Sequence, residues 1–445
     1  MSFAINNPRE FTMINRLKPK PTSIEAINAA ILESAAAGLE HAATIPATAY
    51  TSQDYFEYEK ETIFKQEWLC LAHVSQIPKP GSYLNLDVLG EPIVVVRAKD
   101  NTIRVMSRVC PHRAMDIMPT GFDYDERGQV KGFMCPYHSW TFALDGKLKG
   151  APAMQKTCDF NRKDFGLVEF RSEVWEGFVF MTFNFEADPV ATQLVDLHPL
   201  VAPWHMADMD IVTEIAWDLD INWKNMIENW MEPYHHMGIH VKTLQPMMPA
   251  TGCWTDDYHP HYTRAHLPYR QSLIDALKEA EEKGEHFGTF PPIPGLPEDY
   301  KYEWTVHVGY PDFLMLTGPN CALWYRLLPI SAEKIHLVTT ILVNQEAQAH
   351  PDFEQHLAEE TQALKDFHSE DIEVCTAVQR GFNSIAFQPG RMSHLEKPVH
   401  QIQRYLASRI QATDNVPDGF SSEVPAELPV TASANIPAVL QEVNA

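Results

Sequence analysis

The chain has 445 residues, 45% apolar and 21% charged, an ordinary globular composition with room for two or three domains. Its formal charge of −24, from 35 basic and 59 acidic residues, argues against a nucleic-acid partner and against docking on anionic lipid, and no basic stripe interleaved with aromatics occurs. The opening "MSFAINNPREFTMINRLKPKP" lacks an apolar signal core, no run is long enough to span a bilayer, and the seven scattered cysteines do not resemble a disulfide framework, so the expectation is a cytoplasmic protein without a membrane partner.

In chain order, alanine-rich 23–40 predicts a peripheral helix. Residues 51–68 predict a second one, with Thr51 and Asp54 as a capping box and Phe56, Ile63, Phe64 and Trp68 as its apolar stripe. From "SYLNLDVLGEPIVVVRAKDNTIRVMSRVC" to "LVEFRSEVWEGFVFMTFN" (167–184), β-branched runs between Gly and Asp-Asn turns predict antiparallel strands. "NWKNMIENWMEPYHHMGIH" (222–240) is mostly helical in pattern, 304–345 reads as successive strands, and 352–380 is a long helix stopped at Gly381. Residues 411–445, without Lys or Arg, read as a tail. The fold class is therefore α+β: an antiparallel β domain, then a mixed α/β domain with an antiparallel sheet covered by helices.

Within the β region stand two cassettes, Cys110-Pro-His112 and Cys135-Pro-Tyr-His138. A structural zinc site usually pairs its cysteines in one knuckle and its histidines in another; here each loop supplies one of each. That suits a two-iron cluster in which one iron takes both thiolates and the other both imidazoles, the Rieske [2Fe-2S] type, with a zinc knuckle as the alternative. The double cassette, followed by Ser139-Trp140 and "DGKLKGAP", resembles the Rieske domain of ring-hydroxylating oxygenases, where glycine usually stands at the place of Ser139.

A Rieske ferredoxin needs only a fraction of this length. In "ENWMEPYHHMGIH", Glu232 and His235 are three apart and would share a helix face, and Pro233 and Gly238 can supply the distortion that aims His240 at the same point. His236 is read as a surface or supporting residue, and Glu228 as a surface charge, with a proton acceptor behind the site as its alternative. Two histidines need a carboxylate to complete a facial triad with open positions on Fe(II). On the long helix, Leu357, Leu364, Phe367, Val374 and Val378 form an apolar stripe with Asp371 in register, while Glu370 faces away; the alternative for Asp371 is a buried salt bridge to an arginine such as Arg380.

These stretches together resemble the large (α) subunit of Rieske non-haem iron oxygenases over roughly 45–400. The resemblance implies Cys110, His112, Cys135 and His138 as cluster ligands, His235, His240 and Asp371 as ligands of a mononuclear Fe(II), and Glu232, in place of the commoner Asp, as the carboxylate linking the two centres. It implies O2 and a small organic substrate, with electrons from NAD(P)H through a reductase and in some members a ferredoxin. It further implies a homotrimer (α3, with α3β3 as the other form) in which His138 of one chain meets Glu232 of the next. The expected division is a helical segment at 1–44 packed on the catalytic domain, a Rieske domain at 45–190, a catalytic domain at 191–410, and a tail.

Hydroxylation of an aromatic substrate is the leading expectation. Oxidation of a quaternary ammonium compound, as in relatives that carry Glu at this place, is the alternative, and an electron-transfer protein without oxygenase activity is the alternative of another class. Met231, Met237, Val241, Leu244, Met247, Met248, Trp304, Phe313 and Trp324 are candidate walls of a substrate pocket.

Overall fold

The computed structural model describes residues 20–118, 125–283 and 289–414. The first helix, Ile24–Ala36, is capped by Ser23, whose side chain accepts from the Ala26 amide, and buries Ile27, Ile31 and Ser34 at i, i+4 and i+7. Ser34 donates to Gln403 Oε1 at 2.9 Å, which fixes this helix to the last one, Lys397–Asp414. That last helix takes in the first four residues of the expected tail; residues 415–445 lie outside the described residues.

The second predicted helix is broken. Thr48–Thr51 forms one turn, Gln53–Glu59 a helix and Lys60–Phe64 a π-turn. The cap is Ser52, accepting from the Tyr55 amide, and not Thr51, whose hydroxyl donates back to the Ala47 carbonyl at 3.3 Å. Trp68 lies beyond the helix, its indole N–H donating to Asp188 O at 2.8 Å.

One seven-stranded antiparallel sheet runs in the order Leu69–His73, Phe178–Thr182, Glu169–Trp175, Ile103–Ser107, Glu91–Arg97, Ser82–Val88, Arg127–Gln129, with a three-stranded sheet (Phe133–Met134, Thr141–Phe142, Leu148–Gly150) beside it. A second seven-stranded antiparallel sheet has the order Asp210–Leu219, Lys334–Val343, Ala322–Ser331, Phe313–Thr317, Glu303–Gly309, Tyr262–Pro268, Trp254–Thr255. The run Ile93-Val94-Val95-Val96 is continuously buried because both faces of its strand are covered. Ile93 and Val95 join the large core shared with the second sheet, whereas Val94 and Val96 pack under the cassettes with Cys110, Cys135 and Trp140.

Between the two sheets lies an aromatic core. Phe313 sits 5.0 Å from Phe178 and 5.2 Å from Phe180, centroid to centroid, and Trp324 5.4 Å from Phe178. Phe313 and Trp324 are therefore part of this sheet-to-sheet packing and not pocket walls, because their strand faces are covered by the first sheet.

Lys224, at the start of helix Trp223–Met231, is wholly buried and donates to Glu59 Oε1 at 2.6 Å, while Trp223 Nε1 donates to Glu59 Oε2 at 3.0 Å. Lys224→Met should destabilise the fold by about 3–5 kcal/mol in denaturant melts, because the Glu59 carboxylate is left buried without its counter-charge. Among the described residues no helix is long and apolar enough to cross a membrane.

Candidate metal centres

The two cassette loops share one backbone design. The Cys110 carbonyl accepts from the Ala114 amide and its own amide donates to Met115 O; the Cys135 carbonyl accepts from Ser139 N and its amide donates to Trp140 O. Each turn places its fourth residue after the cysteine in the left-handed region, Ala114 at φ 56° and Ser139 at φ 57°. Glycine tolerates that conformation without strain, which explains why it usually stands where this chain has Ser139.

Cys110 and Cys135 are buried, and the Cys110 thiol is pushed up first by burial and also by the adjacent Cys135, against the pull of the His112 and Arg113 amides aimed at its sulfur. The rings of His112 and His138 stand 4.6 Å apart, His112 stacks on Trp140 at 4.8 Å, and Nδ1 of His138 is buried without a hydrogen-bond partner. Paired thiols, amides pointing at sulfur and an orphaned imidazole nitrogen fit an iron–sulfur cluster.

At the second site the helix Trp223–Met231 ends at Glu232, which takes extended backbone (φ −112°, ψ 140°) because Pro233 follows and disfavours the helical region for the residue before it. Glu232 and His235 thus do not share a helix face. Instead the Glu232 carboxylate turns onto the following 3-10 turn, Tyr234–Met237, accepting from the amides of Tyr234 and His235 (3.2 Å for the latter) and from His235 Nδ1 at 2.9 Å. Gly238 has φ −95° and room for a side chain, so the chain does not depend on a glycine there.

Asp371 comes from the helix Phe353–Phe382, whose buried edge is Leu364, His368, Asp371, Cys375, Gln379 and Phe382; Val374 and Val378 are turned away from it. Its Oδ1 lies 3.0 Å from His240 Nε2 and 3.5 Å from His235 Nε2, and accepts from Asn229 Nδ2 at 2.9 Å. Asp371 is thus held by these groups and not by the exposed Arg380. Donor atoms of His235, His240 and Asp371 all fall within 4.8 Å of one another, the two-imidazole, one-carboxylate set that suits a non-haem Fe(II). Burial is the largest single influence and opposes the charged forms of both Asp371 and His240, but together the hydrogen bond between them and the surrounding charges, His235 and His368 for Asp371 and Glu370 for His240, hold Asp371 below and His240 above the ordinary value.

Glu370 does not face away. Its Oε2 accepts from His240 Nδ1 at 2.7 Å and from Thr243 Oγ1 at 2.6 Å. Each candidate ligand histidine therefore has Nδ1 on a carboxylate and Nε2 toward Asp371, an arrangement that fixes tautomer and ring orientation. His236 is buried, with Nδ1 at 3.3 Å from Met248 O, and burial, then the neighbouring His235 and His240, pushes it down to about 3. His368 is wholly buried between Trp217 and Tyr325 and lies 4.0 Å from Asp371; nothing in the sequence pattern marked it or Asn229. Among the other candidate walls, Met231 and Met248 are core, whereas Met237, Val241 and Met247 are exposed.

Glu228 is not a surface charge. Both its oxygens accept from the buried Tyr50 hydroxyl, at 2.8 and 2.9 Å, and burial raises its carboxyl to about 7. A carboxyl raised in the fold binds more protons there than when unfolded, so its contribution weakens as pH rises from the ordinary 4.5 through about 7. Glu228→Gln keeps the acceptor for Tyr50 and loses the titration. Its melting temperature should gain on the wild type between about pH 5 and pH 8, and parallel curves would refute the buried-charge reading.

The Rieske [2Fe-2S] domain model matches residues 67–169, and the model for the ring hydroxylating alpha subunit (catalytic domain) matches 206–412. The carnitine monooxygenase oxygenase subunit of Escherichia coli (strain K12) is 35% identical over 206 residues, 46% of this chain and 54% of that protein, so the match spans about half the relative's length. The glycine betaine monooxygenase oxygenase subunit of Pseudomonas aeruginosa (strain UCBPP-PA14) is 26% identical over 380 residues, 80% of this chain and 86% of that one. A crystal structure of a quaternary ammonium Rieske monooxygenase in complex with L-carnitine superposes with a TM-score of 0.67 at 26% identity, covering 85% of this chain and 98% of the other. Both domain models match in order and both donor sets are assembled in the fold: the chain carries a Rieske [2Fe-2S] domain followed by a ring-hydroxylating alpha-subunit catalytic domain, with residues that fit a Rieske cluster and a mononuclear iron.

Proposed function

We propose that the protein is the terminal oxygenase component of a Rieske monooxygenase acting on a quaternary ammonium substrate, supplied with electrons from NAD(P)H by a separate reductase, directly or through a ferredoxin. The observation that carries the oxygenase reading is the triad: two imidazoles and one carboxylate converge, and each imidazole is held from behind by a second carboxylate. In this reading Cys110, His112, Cys135 and His138 hold the cluster, and His235, His240 and Asp371 hold the iron. When bound, the cluster supplies single electrons and the iron supplies O2 activation for oxidation of a substrate C–H bond. Glu232 and Glu370 keep the Nδ1 protons in place, so that Nε2 of each ring stays free for the metal.

The substrate class rests on the likeness to carnitine and glycine betaine oxygenases and on Glu at position 232. Aromatic hydroxylation, the leading expectation from sequence, becomes the second reading, supported by the description of the matched catalytic-domain model. Assembly into a head-to-tail ring of three, alone or with a β subunit, is supported by large apolar side chains exposed at both centres. These are Met134 and Tyr137 beside His138, and Tyr234, Met237 and Val241 beside the triad histidines. A cytoplasmic location, where reduced nicotinamide is regenerated, belongs to the same reading, as does the division at 1–44, 45–190, 191–410 and the tail.

Reconstitution with a reductase and NADH tests the function. O2 uptake with release of a tertiary amine from betaine-like compounds is expected; uptake coupled only to aromatic acids would move the assignment to the second reading, and reduction without any O2 consumption to an electron carrier. Cys135→Ser should give colourless protein without a Rieske-type paramagnetic resonance signal on reduction; a coloured, reducible variant would contradict the ligand assignment.

A further inference from the structure

We propose that His350, Asp352 and His356 form a second metal site, for a borderline divalent cation of the Zn2+ kind, at the entry to the helix that carries Asp371. Donor atoms of the three side chains lie within 4.8 Å of one another, and the two imidazole rings stand 5.0 Å apart. Two further observations give this cluster a purpose. Nδ1 of His356 is buried and has no hydrogen-bond partner. Asp352 occupies the N-cap position of Phe353–Phe382, where an aspartate ordinarily accepts from the first-turn amides, yet its carboxylate makes no capping bond and is grouped with the two imidazoles instead.

The donor set narrows the ion. Two imidazoles and one carboxylate, the same donor types as the triad, favour first-row divalent ions over Mg2+ and Ca2+, which take oxygen ligands; among them Zn2+ binds such a set more tightly than Fe2+, and three protein donors leave one tetrahedral position for water. His350 Nδ1 accepts the Asp352 amide at 3.2 Å, the long end of a hydrogen bond, so coordination through Nε2 shifts the ring proton at small cost. The site is independent of the triad, since Asp371 lies fifteen residues further along the helix, about 22 Å at 1.5 Å per residue. A metal here would join the His350 loop to the first turn of that helix and make the helix start less prone to fray.

The test uses untagged, iron- and cluster-loaded protein given excess Zn2+ and then dialysed against metal-free buffer, with zinc and iron counted together. Wild type should retain about one zinc per chain with no loss of iron, and zinc should raise the melting temperature. His356→Ala and Asp352→Asn should each lower retention at least tenfold and abolish the thermal shift, with iron content unchanged as the control for folding. Asp371→Ala, which removes the triad carboxylate, should still retain the zinc. Zinc absent from the wild type, retained equally by His356→Ala, or gained only as iron is lost would each overturn the proposal, and none of these outcomes bears on the oxygenase reading.

Discussion

Asp371→Ala is expected to leave the Rieske spectrum intact and to remove the mononuclear iron, with turnover falling by more than the roughly 10–100-fold that loss of a supporting partner costs. The carboxylate lies close to both imidazole Nε2 atoms, 3.0 Å from His240 and 3.5 Å from His235, and Asn229 pins it there. Without it the two histidines keep their rear carboxylates but lose their common partner. Glu370→Gln should be milder: iron affinity should fall by about 10–100-fold and recover at high iron, because Glu370 holds His240 from its Nδ1 side, together with Thr243, and leaves Nε2 to the metal. Iron retained by Asp371→Ala and lost from Glu370→Ala would mean that the wrong carboxylate of this adjacent pair has been assigned.

The second large effect is expected at Glu232. Its carboxylate accepts from the His235 ring and from two amides of the turn that carries it, and in the proposed ring it also meets His138 of the next chain. Glu232→Gln keeps the size but loses the charge and one acceptor oxygen. Both centres should load and the cluster should still be reduced by its partner, while product formation drops by at least about 100-fold. Co-assembly separates a positioning role from simple damage. Rings mixed from Cys135→Ser and Glu232→Gln chains should regain part of the activity, since some interfaces pair an intact cluster with an intact Glu232. Mixed rings without any recovery would argue for transfer within one chain.

The cassettes were readable because their ligands are close in sequence and their turns are local. The fold brings Asp371 to the two histidines although the apolar stripe that singles it out is rotated, with Val374 and Val378 off the buried edge. A carboxylate near the middle of a helical face survives such an error; Glu370, one residue away, did not. Its side chain reaches His240 from the flank, a contact between segments 130 residues apart that no periodicity encodes. Pro233 announces a break, but the sequence does not say whether a proline kinks a helix or ends it, and here the helix ends, with Glu232 in extended backbone and its carboxylate on the following turn. Phe313 and Trp324 show the corresponding limit for strands. Alternation tells which residues share a face, not what covers it, and here the cover is the first sheet.

Counting iron and acid-labile sulfide together, on protein prepared without oxygen, decides whether one chain carries both centres. About three irons and two sulfides per chain are expected: two irons with the sulfides in the cluster held by the cassettes, and one iron at the triad. Asp371→Ala should remove one iron and no sulfide, and Cys135→Ser two irons with both sulfides. Two irons and two sulfides in the wild type under iron-replete conditions would leave the triad without its metal. Zinc without sulfide would leave the chain without its cluster, and either result contradicts the oxygenase.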